Sequence, residues 1–415
     1  MIRAGILISL IFGLLFFPAS FTVSADINCK FKGSGRFLGM YADNPDEGNF
    51  YPNATDTLCA SVLRLIGEVD FSPSLYFEVN TVHDWNRLTF QPVNQAFQTG
   101  GQISNDYRHP DGEWTWQDAD HDGYTVQGVS AIDRCFFTVK LNKMDMTLGR
   151  QPINLGNCFF FTPNDFFQPY SAQAFNRVYK PGVDALRLQY YTGQLSQISL
   201  IGVCGYKDHD PDWTSSALLI RGNQVFGIFE ISGMAGKLDS RNILGIGIQG
   251  EIGNWGIRSE MNQSFPDENH PDYLQAAFGA DRRWSNSFHL IIEYLYHGNG
   301  VREKTNYLEH MLSPGFNEDP YLGIHYLGIA ANYEFHPLVN GDAAIISNLT
   351  DPSCFLTGSL VISLSNESEC VLGIQYPIGK DPTSRQVTPE LTYPEFQSEY
   401  GFYPLSLFAE FRIYF

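Results

Sequence analysis

Along most of this chain, apolar and polar residues alternate singly. The clearest run ends the sequence: Leu407, Ala409, Phe411, Ile413 and Phe415 occupy one register, while Ser406, Glu410, Arg412 and Tyr414 occupy the other. Strand side chains point alternately to two faces, so one face of this segment suits hydrocarbon and the other suits water. Eighteen such segments recur, near 31–41, 61–71, 74–82, 130–141, 144–150, 183–191, 195–205, 215–221, 225–235, 241–251, 254–262, 273–283, 287–297, 324–335, 338–348, 355–364, 369–377 and 404–415. The connections between them alternate short and long. The short ones fall at Ser72-Pro73, Asn142-Lys143, Thr192-Gly193-Gln194, Gly222-Asn223, Gly253-Asn254, Ser285-Asn286, His336-Pro337 and Asn366, and several carry the Gly or Asn of a tight hairpin. The long ones centre on 83–129, 151–182, 298–323 and 378–403. The expected fold is all-β: a transmembrane antiparallel β-barrel of about 16–18 strands, with short periplasmic turns and long outer loops.

The registers also separate chemistry. Leu63, Leu65 and Val69, Phe137, Val139 and Leu141, Leu244, Ile246 and Ile248, and Leu360 and Ile362 share the apolar face. Arg64, Glu68, Arg134, Lys140, Arg258, Glu260, His289, Glu293, Glu410 and Arg412 share the other. An Arg or Lys on a lipid face costs roughly 2–4 kcal/mol near the midplane, so the charged register is expected to face a wet lumen.

The ends and the composition agree with this reading. Arg3 precedes an apolar run, Ile6 to Phe17, and Val23-Ser24-Ala25 forms a small-residue cleavage site. Residues 1–25 are therefore expected to be a secretory signal and 26–415 the barrel. Aromatics make up 14% of residues and charged residues 17%, below the roughly 25% usual in soluble domains. The net charge of −19 argues against nucleic acid as a partner. Seven cysteines match no metal-binding spacing; Cys29 with Cys59, or Cys354 with Cys370, are candidate bridges between strand ends. His residues assemble with no Ser into a catalytic pattern, so no enzyme activity is expected.

One stretch carries a family likeness. It runs through Ile132-Asp133-Arg134, Gly149-Arg150-Gln151-Pro152-Ile153, Thr162-Pro163-Asn164-Asp165 and Asp184-Ala185-Leu186-Arg187. This resembles porin-like bacterial outer-membrane barrels that carry a Gly-Arg-Gln-x-Ile element, and more distantly the alginate-export porin. The terminal strand resembles the closing strand of such barrels, in which Phe411, Ile413 and Phe415 would form the signal read by the barrel-insertion machinery. The resemblance implies a channel in the bacterial outer membrane and fixes no solute.

Two loops hold candidate chemistry. Between Gly149 and Arg187 lie Phe160, Phe167 and Tyr170 with Asp165, Arg177 and Lys180. A loop so rich in aromatics is expected to fold into the barrel and narrow it, with Asp165 tethered by Arg134 and Arg187. The constriction and pore lining are then expected to use Arg134, Lys140, Arg150, Phe160, Asp165, Phe167, Tyr170, Arg177, Arg187, Arg258, Glu260, Glu293 and Arg412. Asp118, Asp120 and Asp122 have the oxygen spacing of a calcium loop but lack its final acidic ligand, since Val129 stands there. Structural calcium is the one cofactor the sequence suggests.

The expected function is passive diffusion of small polar solutes, carbohydrates among them. A dedicated polysaccharide channel and a non-transporting surface barrel are the alternatives. The expected partners are outer-membrane lipid, the insertion machinery and the solute, and a homo-oligomer is compatible with lipid-facing strands.

Overall fold

The computed structural model describes residues 27–45, 51, 53–89, 107–119, 124–167, 169, 179–266, 272–313, 321–388 and 391–415. The expected signal over 1–25 and the candidate residues Tyr170, Arg177, Asp120 and Asp122 lie outside these residues.

The strands are β1 Asn28–Asp43, β2 Thr55–Ser72, β3 Leu75–Leu88, β4 Glu113–Ala119, β5 Thr125–Leu141, β6 Met144–Gln151 and β7 Val183–Tyr191. There follow β8 Gln197–Lys207, β9 Asp210–Phe226, β10 Phe229–Leu238, β11 Arg241–Ile252, β12 Trp255–Ser264, β13 Tyr273–Arg283 and β14 His289–His297. Then come β15 His325–His336, β16 Val339–Asn348, β17 Ser353–Ser365, β18 Ser368–Ile378, the small hairpin β19 Thr383–Thr388 with β20 Leu391–Glu395, and β21 Leu405–Tyr414. Among the described residues, one short helix, α1, spans Tyr307–Met311.

Consecutive strands pair antiparallel, β1 pairs with both β2 and β21, and β21 pairs with β18, which closes the sheet. Closure leaves no open edge, the condition for strands to cross lipid. Of the nineteen strands in this sheet, β4 lies outside the circuit and eighteen form the barrel. β4 pairs with the part of β5 beyond the reach of the shorter β6. All eighteen alternating segments of the sequence coincide with barrel strands.

The alternation sets the two faces. Leu200, Ile220, Leu244, Phe278, Ile292, Leu360, Leu372 and Leu407 are exposed on the outside and form an apolar belt. Their strand neighbours Ile201, Leu219, Ile243, Ala277, Glu293, Ser359, Val371 and Ser406 are buried inside. Phe411, Ile413 and Phe415 belong to the belt, whereas Glu410 and Arg412 point inward.

The rim near Asn28 and Phe415, called here the terminal end, carries only short turns. Asn142 and Gly253 turn there with φ of 48° and 62°. Gly222-Asn223, expected as a turn, instead lies within β9; the hairpin is at Gly227-Ile228, where Gly227 has φ 63°. The other rim also contains short turns, at 208–209, 239–240 and 349–352, so loop length alternates less strictly than expected. All seven cysteines are free. Cys29 pairs across from Val69 near the terminal end, while Cys59 pairs with Arg87 near the other. Cys354 and Cys370 are likewise at opposite ends of their hairpin, so neither expected bridge forms.

Candidate functional site inside the barrel

β6 stops at Gln151 and the wall resumes at Val183. Between them the chain turns into the lumen. Ile153, Leu155 and Phe167 pack on inward residues of β7 to β11, including Val183, Ile201, Leu219 and Ile243. Phe160 and Phe161 then pack farther round, with Leu295, Tyr326, Ile346 and Phe355. Burial of these rings supplies the apolar driving force that keeps the loop inside.

Two lumenal carboxylates hold the tip. Glu293 on β14 accepts the backbone N–H groups of Phe159, Phe160 and Phe161 at 2.5, 2.6 and 3.2 Å. Glu260 on β12 accepts those of Asn157, Cys158 (2.6 Å) and Asn164 (3.1 Å). Both are at most 1% exposed. A charge buried so deeply is costly unless donors surround it, and each carboxylate here has three. Glycines make the space: a Cβ at Gly245 would lie 2.6 Å from Asn164 Oδ1, at Gly247 2.5 Å from Asn157 Nδ2, and at Gly328 2.8 Å from the Phe160 ring.

The return limb is fixed differently. Lys180 forms a buried ion pair with Asp165. Arg134 donates to the Lys180 carbonyl from Nε (3.2 Å) and Nη2 (2.5 Å) and lies 3.5 Å from Glu78. Asp165 is thus tethered by Lys180 rather than by Arg134 or Arg187, and Arg134 reaches the loop through the Lys180 carbonyl instead. Arg187 sits in the inward register of β7.

Farther round, the wall from β18 through β21, β1, β2 and β3 to β5 carries ion pairs, with an apolar patch of Leu58, Ala60 and Leu88 toward the long-loop rim. Arg36 pairs with Glu410, and Arg412 donates to the same carboxylate at 2.8 and 3.0 Å. Arg64 pairs with Asp133 at 2.5 Å and bonds Asn80 at 2.9 Å. Lys32 meets Glu68 at 2.8 Å, and the Tyr76 hydroxyl donates to Glu78 at 2.9 Å. Most of the charges described on this wall are held in pairs of opposite sign. Such a lining exchanges hydrogen bonds with hydrated solutes and penalises apolar ones.

Below the loop tip, toward the terminal end, Arg258 pairs with Asp281, which also meets His289 Nε2 at 3.0 Å. The Phe159 ring stacks 4.2 Å from the Arg258 guanidinium. Lys140 is exposed near the terminal end of β5.

Three expected pore residues act elsewhere. Phe160 and Phe167 are 8% and 0% exposed, so they brace the loop instead of lining a passage. Arg150 stands in the outward register, opposite Asp184 on β7. It donates to Asp184 at 2.7 and 3.0 Å, to Ile132 O at 2.8 Å and to His109 O at 3.0 Å, stitching four segments where β6 ends. Its partner Gln151 is fully buried inside and donates to Thr147 O and Ala185 O. Asp118, the one described member of the calcium candidate, is exposed on β4 across from Val126.

At the long-loop rim, three connections share a core of Tyr51, Tyr307, Leu322, Phe396 and Phe402. Glu399 joins this cap to the wall. It is 2% exposed and accepts from Tyr326 Oη at 2.6 Å and Asn348 Nδ2 at 2.7 Å. Burial, with Asp351 nearby, pushes its carboxyl up from 4.5 to about 8. The cap left no signal in the alternation, because its residues come from loops far apart in sequence.

No protein-family model matches the sequence, and no curated protein matches it significantly. Solved structures do. OccAB2 of Acinetobacter baumannii matches with a TM-score of 0.54 at 10% identity, over 94% of this chain and 98% of that one. OccAB1 of the same organism gives 0.53 at 9% over 96% and 98%, and OccAB4 gives 0.51 at 8% over 94% and 98%. At identities this low, the likeness is one of fold alone. With its closed circuit and apolar belt, this chain is an eighteen-stranded transmembrane β-barrel of the bacterial outer-membrane type.

Proposed function

We propose that the barrel is a passive channel for small hydrophilic solutes, sugars among them. The observation that carries this reading is the segment 153–167 after β6, which packs inside the wall and is pinned there by Glu260 and Glu293. A barrel serving only as a surface anchor has no use for an inner partition facing a wall of paired charges. The buried aromatics of the loop offer no platform for stacking sugar rings, so sugars would pass by size and hydrogen bonding. Liposomes carrying the protein should swell in isotonic solutions of small sugars, with rates falling as solute size rises. Swelling no faster than protein-free liposomes would refute it.

The Gly149-Arg150-Gln151-Pro152-Ile153 element supports kinship with the porin-like group and the alginate-export porin. Its support is that the residues act together at the wall: Gly149 turns with φ 118°, Arg150 binds outside and Gln151 inside. The outward Phe411, Ile413 and Phe415 support recognition by insertion machinery.

A further inference from the structure

The outer face of β11 to β14 is mostly apolar and carries charge at one place. Its outward register holds Leu244, Ile246, Ile248, Met261, Phe278 and Ile292, all exposed or nearly so. Arg282 is the sole charged residue in this register across the four strands. It stands one residue from the end of β13, at the terminal end of the barrel.

Arg282 has a specific setting. Its guanidinium carbon lies 5.7 Å from the Trp255 ring centroid and 5.0 Å from that of Trp284. The two indoles meet edge to face at 6.0 Å, and Phe288 packs on Trp284 at 5.4 Å. Its strand neighbours point away, since Asp281 faces inward and pairs with Arg258. Among the described residues, Arg282 forms no ion pair, and its buried Nε has no hydrogen-bond partner. Tryptophans concentrate at the membrane–water boundary, where headgroups lie. Aromatic faces hold the cation without supplying an acceptor, so the donors of the fork remain available.

We infer that Arg282, framed by Trp255 and Trp284, is a binding site for the phosphate of an anionic membrane lipid in the leaflet at the terminal end. Charge complementarity and the apolar strands alongside, which would take the acyl chains, favour a lipid over a soluble anion.

The test uses the purified full-length barrel in uncharged detergent, with native mass spectrometry counting retained phosphatidylglycerol against phosphatidylcholine. Wild type should retain phosphatidylglycerol about fivefold better, the worth of one basic residue at a lipid surface. R282Q should remove this preference, whereas R283Q, changed in the inward register, should keep it. Should R282Q not assemble, R282K, which keeps the charge but loses the planar fork, must still lower the preference. An unchanged preference in R282Q, or in R282K where R282Q fails to assemble, would overturn the inference. So would displacement of the lipid by inorganic phosphate, which would make the site one for free anions.

Discussion

Arg150 shows how one residue can look like pore lining and serve the wall instead. Its guanidinium satisfies a carboxylate and two backbone carbonyls at the point where β6 gives out. Removing one partner of a buried pair leaves the other uncompensated. R150A should therefore lower barrel stability by on the order of 3 kcal/mol. The temperature at which the compact, heat-modifiable gel band disappears measures this, and an unchanged temperature would refute the role. If the barrel is a channel as proposed, the fraction that remains folded should conduct like wild type, since Arg150 faces away from the lumen. Charge alone placed Arg150 inside from the sequence. Its partners His109 and Ile132 arrive from other segments, and nothing local announces that the outer face is covered there. By contrast, Arg412 and Glu410 were legible, because strict alternation with Phe411 and Ile413 leaves one assignment.

The elements divide in the same way. The barrel strands were legible because each must present apolar residues to lipid at every second position. The inward fold of residues 153–167 was legible from the aromatics of that loop, but its anchors were not. Glu260 and Glu293 read as lumenal charges, and the glycines at 245, 247 and 328 that make room for the tip carry no signal until the loop is seen on them. Charge-assisted bonds are roughly twice as strong as neutral ones. The double change E260Q/E293Q should therefore loosen the tip while leaving the strands paired. A protease site engineered into the loop should become cleavable in that variant and stay protected in wild type; equal protection would remove the anchoring account. The cap over the other rim has its own dependence on pH. A carboxyl raised to about 8 when folded, against 4.5 ordinarily, stabilises the cap fully below pH 4.5. That stability falls as pH rises and levels off above pH 8. Loop proteolysis should thus accelerate across this interval, and E399Q should flatten the trend. A profile that E399Q leaves intact would show that another group governs the cap.

At the scale of the whole molecule, the barrel is a lipid-facing cylinder with a segment of its own chain, 153–167, packed inside the wall. The wall from β18 to β5 holds charges of both signs, most of them paired, and the chain as a whole carries −19. A modest preference for cations follows, weaker at high salt because the Debye length is about 10 Å at 0.1 M and shorter above it. Reversal potentials across a salt gradient measure it, and anion preference would contradict this assignment of the lumen. The most direct measurement is single-channel conductance of the purified protein in a planar bilayer, wild type beside E260Q/E293Q. A barrel with a pinned inner segment should give discrete conducting steps in wild type and larger or noisier steps in the double variant. A wild type that does not conduct, or a double variant with identical steps, would contradict it.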